Sequence, residues 1–258
     1  MRIRPRRFLI TGGPRSLKTT IMEIIARLYK GRVLIAPEAA TILLGGGLDL
    51  FRSPQEPIVI GAREGIVRWL QPRLDALRTE LTERDERPVY VPGAYDVLEG
   101  GQFPPPGENP DPIILGHFQW IVYRLILALE DMYEQLAMEQ GITVLVCDRG
   151  CWDGEAYMDG DRERFMRLVG VEYRDMTRYH RAACLQSLAS YDPDAYNARP
   201  TEGNEIRMES SHVTAARIDA LTWQAWEDHH NIERLLCSLG VDGKIGAVRQ
   251  ILDEMLAE

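Results

Sequence analysis

The stretch Phe8-Leu9-Ile10-Thr11-Gly12-Gly13-Pro14-Arg15-Ser16-Leu17-Lys18-Thr19-Thr20 decides how this chain folds. A short apolar run gives way to a tight loop, and the loop opens into a helical pattern headed by Lys-Thr. Strand, loop and helix in that order cradle the phosphates of ATP or GTP: loop N–H groups point inward, and the helix N-terminus adds the positive end of its dipole. In the pattern G-x-x-x-x-G-K-[ST], Lys18 would reach the β- and γ-phosphates and the Thr19 hydroxyl would ligate Mg²⁺. The nucleotide would lie against Gly12, Gly13, Pro14, Arg15, Ser16, Leu17, Lys18, Thr19 and Thr20. Leu17 occupies the place of the second glycine, where a γ-branched side chain resists both the backbone angles and the close phosphate approach that glycine permits. Arg15 brings a compensating charge into the loop. The competing reading of the stretch is an ordinary strand-to-helix turn.

Outward from the loop, strand and helix signals alternate. A helix over 19–29 carries Ile21, Ile24, Ile25 and Leu28 on one face and ends at Gly31. Arg32-Val33-Leu34-Ile35-Ala36 reads as a second strand closed by Pro37, and Gly45-Gly46-Gly47 as a break. A polar-faced helix is predicted over 66–83 and a short strand at 89–91. Residues 92–112 are rich in proline and glycine, the pattern of a lid, a binding loop or disorder. The next helix, over 117–140, repeats Phe118, Ile121, Val122, Leu125, Leu129, Met132, Tyr133 and Leu136 as a core-facing stripe. Thr143-Val144-Leu145-Val146-Cys147 is a near-continuous apolar run, as in a strand buried on both faces of a parallel sheet. Further strands are expected at 182–186 and 232–237, a helix over 212–229 and a closing helix over 244–256. The whole predicts an α/β protein, a parallel sheet with helices on both faces, whose ligands sit at the carboxyl ends of the strands.

Composition narrows the function classes. With 258 residues, 45% of them hydrophobic and 27% charged, the chain reads as one soluble globular domain, 1–258, with an insertion at 92–112. A net charge of −9 argues against coating nucleic acid. Arg2, Arg4, Arg6 and Arg7 read as a solvated N-terminal tail, against the alternative of a binding arm. The first apolar run is too short for a secretory signal, and no segment reaches the length of a membrane span. Cys147, Cys151, Cys184 and Cys237 read as free thiols, three of them in or at strands, which fits a cytoplasmic protein. His117, His180, His212, His229 and His230 read as surface or helix-end residues.

Three features converge on the carboxyl edge of the sheet. The first is the loop itself. The second is Asp148-Arg149 at the end of the buried strand: Asp148 would hold Mg²⁺ or accept a proton, or else cap the next helix. Arg149 would clamp a moving phosphoryl group, or else pair with Asp153 or Glu155. The third is Glu38 in Pro37-Glu38-Ala39-Ala40, which would orient or deprotonate an acceptor hydroxyl, or serve as a helix N-terminal acid. Arg199 and Arg207, in the polar segment 192–211, would fold over the phosphates or remain solvated.

Together, Gly12-Gly13-Pro14 with Lys18-Thr19-Thr20, Pro37-Glu38-Ala39-Ala40, and Asp148-Arg149-Gly150 followed by Asp153 and Ala156-Tyr157 resemble the AAA-domain P-loop family allied to nucleoside and nucleotide kinases, whose relatives include thymidylate kinase-like and nicotinamide riboside kinase-like domains. The resemblance implies a three-layer P-loop NTPase sandwich with a five-stranded parallel sheet of the nucleotide-kinase type, binding ATP or GTP with Mg²⁺. It further implies that Asn204-Glu205-x-Arg207-x-Glu209 is a lid segment in which Arg207 meets phosphate. The activity implied is phosphoryl transfer to a small metabolite, the acceptor and the oligomeric state being left open. A nucleotide-binding regulator with little turnover is the alternative that Leu17 motivates.

Overall fold

The computed structural model describes residues 3–45, 112–198 and 211–258. Strands β1 (Arg6–Gly12), β2 (Val33–Ala36), β3 (Val144–Asp148), β4 (Arg181–Leu185) and β5 (Ile232–Leu235) form one all-parallel sheet in the order β2-β3-β1-β4-β5. The helices are α1 (Lys18–Leu28), α2 (Ala39–Gly45), α3 (Pro112–Gln140), α4 (Arg162–Val169), α5 (Pro193–Ala198), α6 (His212–Trp226) and α7 (Gly240–Ala257).

Side chains alternate along each strand, so the two apolar layers separate by residue parity. Phe8, Ile10, Val144, Val146 and Leu185 face Ile21 and Ile25 of α1 and Val248 and Ile251 of α7. Leu9, Leu145, Cys147 and Ala182 face the other way, against Tyr123 of α3, Phe165 of α4 and Trp226 of α6. This is the α/β arrangement, a parallel sheet with helices on both faces, that the alternating strand and helix signals predict. Both layers are close-packed, and truncating a fully buried residue such as Ile10 to alanine costs about 2–5 kcal/mol.

Topology then locates the crevice. The chain steps from β1 outward to β2 and afterwards returns through β3, β4 and β5 in the opposite direction. Right-handed crossovers place helices on opposite faces when the direction of travel reverses. Thus α1 lies on one face while α3, α4 and α6 lie on the other, as the two core layers require. The reversal falls between adjacent strands β1 and β3, whose register pairs Ile10 with Asp148. A ligand crevice opens beyond the carboxyl ends of such a pair.

Several expectations need correction. Arg4 is exposed and Arg2 lies outside the described residues, but Arg6 and Arg7 are not a solvated tail. Arg7 is 4% exposed within β1 and donates to Glu130 at 2.8 Å and Glu134 at 2.6 Å on α3. Arg4 pairs with Glu134, and Arg6 with Glu258 and the Met255 carbonyl. Glu130 also accepts from Arg178 and from the Tyr179 hydroxyl, so a buried carboxylate offsets the desolvation of the arginines around it. That pairing explains why α3 turns Glu130 and Glu134 inward while Met132 and Leu136 are exposed. Leu28 is likewise exposed, and Tyr29 is buried instead, its hydroxyl donating to Asp253 at 2.8 Å. His229 is buried: its Nε2 donates to the Tyr179 carbonyl at 2.9 Å, and its Nδ1 accepts from the Asn231 N–H. Cys237 follows β5 in a short turn rather than lying in the strand. The predicted helix at 66–83, the strand at 89–91, the insertion up to residue 111, Arg199 and Arg207 lie outside the described residues. Among the described residues, no helix is long and apolar enough to cross a membrane.

Candidate functional site

The loop from Gly12 to Leu17 fills the end of the β1/β3 crevice. Gly12 has φ +139°, and a Cβ there would stand 2.1 Å from the Leu185 carbonyl oxygen, so no other residue fits between β1 and β4. Arg15 and Leu17 both have positive φ, 52° and 79°, with Ser16 between them outside that class. Left-handed residues alternating with others are the backbone pattern by which loops turn successive N–H groups to one side and make anion-binding concavities. Leu17 therefore holds the left-handed geometry that a second glycine would take, at a cost of about 1–2 kcal/mol. Its side chain packs against the apolar layer of α1 and α7.

Lys18 opens α1 and folds back over the loop. Its Nζ donates to the Gly12 carbonyl at 2.7 Å, the Gly13 carbonyl at 2.9 Å and the Ser16 hydroxyl at 3.1 Å. Burial and the Arg149 guanidinium bring its pKa down to about 8. Thr19 and Thr20 follow in the exposed first turn of α1, where backbone N–H groups have no carbonyl partner within the helix. Arg15 points away from the loop. Its guanidinium stacks 4.4 Å from the centre of the Tyr196 ring and donates to the Tyr196 carbonyl, so its charge tethers α5.

Across the crevice, β3 delivers Asp148. Its Oδ1 is buried and has no hydrogen-bond partner among the described residues. Burial, reinforced by the nearby Glu38 carboxylate, raises its pKa to about 6. Arg149 follows with φ 68°, and its Nε donates to Glu38 Oε1. Its Nη1 lies 3.3 Å from Asp153 Oδ2 and 3.4 Å from the Gly12 carbonyl oxygen, and its guanidinium lies 6.0 Å from the Tyr157 ring. Burial opposes its charge, but Tyr157, Glu38, Asp153 and Asp148 outweigh that, and its pKa is raised. Glu38 also accepts from the Thr41 hydroxyl at 2.7 Å. Burial works against its ionisation, yet Arg149 and Thr41 prevail and its pKa is lowered. Of the two acids foreseen as alternative partners for Arg149, Asp153 is the one it meets, while Glu155 pairs with Arg162.

Asp153 links the parts. Its Oδ2 accepts from Thr11 at 2.7 Å and its Oδ1 from Trp226 Nε1 at 2.6 Å, fixing the turn after β3 to β1 and α6. Sequence reasoning missed Asp219 of α6, which accepts from the Gly13 N–H at 3.3 Å and the Ser187 N–H at 2.8 Å. Helical spacing carried the signal: Ala215, Asp219, Thr222 and Trp226 fall on one buried stripe.

The arrangement brings Lys18, Asp148, Arg149, Glu38 and the loop to one crevice. A buried carboxylate oxygen at Asp148 with no hydrogen-bond partner among the described residues is a donor that suits a hard divalent cation, and on that ground Asp148 fits Mg²⁺.

No family model matches the chain, and no curated protein matches it. Among solved structures it is similar to thymidylate kinase from Candida albicans, at 12% identity and a TM-score of 0.45, over 97% of this chain and 92% of that one.

Proposed function

We propose that this chain binds ATP or GTP with Mg²⁺ and transfers a phosphoryl group to a small metabolite bearing a hydroxyl or a phosphate. The observation that carries the reading is the meeting of Lys18 and an Asp148 Oδ1 that has no hydrogen-bond partner among the described residues, at the mouths of adjacent parallel strands. In this reading the loop amides and the first turn of α1 bind the β- and γ-phosphates. Lys18 exchanges the Gly12 and Gly13 carbonyls for phosphate oxygens, a change from neutral to charged acceptors that strengthens its hydrogen bonds. Thr19 and Asp148 would hold Mg²⁺, which when bound neutralises charge on the phosphates. Arg149, fixed by Glu38 and Asp153, presents a guanidinium already oriented for the transferred group, so that little order remains to be imposed during reaction. Glu38, held as an anion, orients the acceptor hydroxyl more readily than it removes a proton.

A second reading is a nucleotide-binding regulator with little turnover. Leu17 in a left-handed conformation, with Arg149 tied to two carboxylates, favours it. Titration of labelled ATP and GTP, followed by a screen for transfer of the γ-phosphate to metabolites, separates the two. Binding with transfer supports the phosphotransferase, and binding without transfer to any metabolite selects the regulator. Absence of binding, with wild type indistinguishable from Lys18→Ala, removes both.

A further inference from the structure

The turn after β4 lies along the outer side of the loop, because the sheet register sets Leu185 beside Gly12. Ser187 is fully buried, and its Oγ donates to the carbonyl of Pro14. The Leu188 N–H donates to the Arg15 carbonyl at 3.4 Å. In a trans peptide unit the C=O and N–H point in opposite directions. Drawing the Pro14 carbonyl outward to Ser187 therefore turns the Arg15 N–H inward. The same pull on the Arg15 carbonyl turns the Ser16 N–H inward.

Ser187 is itself held. Its Oγ accepts from the Ala189 N–H at 3.1 Å, and its own N–H donates to Asp219 Oδ1 at 2.8 Å. That oxygen also accepts from Gly13, and Oδ2 accepts from the Ser190 hydroxyl at 2.7 Å. Asp219 is 1% exposed, and a Cβ on Gly13 would stand 2.6 Å from its Oδ1. Three consecutive loop residues are thus gripped from one side, Gly13 by Asp219, Pro14 by the Ser187 hydroxyl and Arg15 by the N–H of Leu188.

We propose that Ser187 and Asp219 are positioning residues of the phosphate loop, aiming the Arg15 and Ser16 amides at the bound anion. They brace from outside a loop in which Leu17 keeps a strained left-handed geometry. The inference rests on the reading of the loop as a nucleotide site. It goes further in assigning a function to a turn and a helix that carry none of the motif.

The test uses the full chain with Mg-ATP as probe. Affinity is measured by calorimetry for wild type, Ser187→Ala and Asp219→Ala, and backbone amide shifts of Arg15 and Ser16 are followed by NMR. Ser187→Ala, losing one buried hydrogen bond that orients the peptide, is expected to weaken binding about tenfold and to shrink the nucleotide-induced shifts of both amides. Asp219→Ala, which leaves the buried Gly13 and Ser187 N–H groups without their acceptor, is expected to weaken binding at least as much. A merely structural turn would lower the melting temperature and leave the affinity of the folded protein unchanged, and that result overturns the clamp alone. If Ser187→Ala does not fold, the wild-type spectrum decides: unmoved Arg15 and Ser16 amides on saturation with Mg-ATP overturn the proposal. Failure of wild type to bind Mg-ATP overturns the clamp and the nucleotide reading together.

Discussion

Replacing Leu17 with glycine tests whether the loop is already formed. Leucine at φ 79°, ψ 11° carries about 1–2 kcal/mol of left-handed strain, which glycine would relieve. Against this, the half-buried side chain loses its contact with the α1 and α7 layer, about 1 kcal/mol for half the burial of a leucine. The extra freedom of glycine in the unfolded chain costs about 0.5–1 kcal/mol more. The three terms nearly cancel, so the stability of Leu17→Gly falls by at most about 1 kcal/mol, a shift of roughly 2–4 °C by calorimetry. Affinity for Mg-ATP should change by less than about threefold, since the left-handed geometry exists before and after the substitution. Leu17→Val is the contrasting variant: a β-branched residue is a poorer occupant of this region, and both stability and affinity should fall. A tenfold or greater gain in affinity for Leu17→Gly would refute the reasoning, because it would mean that leucine keeps the loop from its binding form.

Other outcomes follow from the same geometry. Asp148→Asn should stabilise the nucleotide-free protein at pH 7 by about 3 kcal/mol, since a carboxyl raised from 3.8 to about 6 is penalised for its charge. Sign and window follow from that shift: the advantage over wild type is complete above pH 6 and fades as pH falls towards 4, and a melting series across pH checks it. The same variant should lose Mg²⁺-dependent nucleotide binding. Lys18, with its pKa at about 8 in the free protein, must be protonated to bind phosphate, so affinity should hold below pH 8 and fall by up to about tenfold per unit above it. Glu130→Ala should destabilise the fold by about 3–5 kcal/mol in denaturant melts, because it strips the buried Arg7 and the partly buried Arg178 of a shared partner.

The parts of the fold written in contiguous residues were legible. The apolar run at 144–147 and the strand–loop–helix at 8–20 carry their own periodicity, and the parallel sheet follows from them. Glu38, Asp148 and Arg149 were legible as a site because each ends a strand, and strand ends share one edge. The burial of Arg7 was not legible, since its carboxylate partners lie on a helix more than a hundred residues away. Arg15 read as a loop charge, but the aromatic face that captures it, Tyr196, belongs to a distant helix. The clamp was invisible for a related reason: serine after a strand is an ordinary turn residue, and only the register of β4 against β1 brings Ser187 to the Pro14 carbonyl.

A crystal structure with a non-hydrolysable ATP analogue and magnesium tests the central claim most directly. The account predicts the β- and γ-phosphates on the amides of residues 15–19. Lys18 Nζ should have moved from the Gly12 and Gly13 carbonyls to phosphate oxygen, and the metal should lie between Thr19 and Asp148. Lys18 still bound to those carbonyls, with the analogue lodged elsewhere, would contradict it.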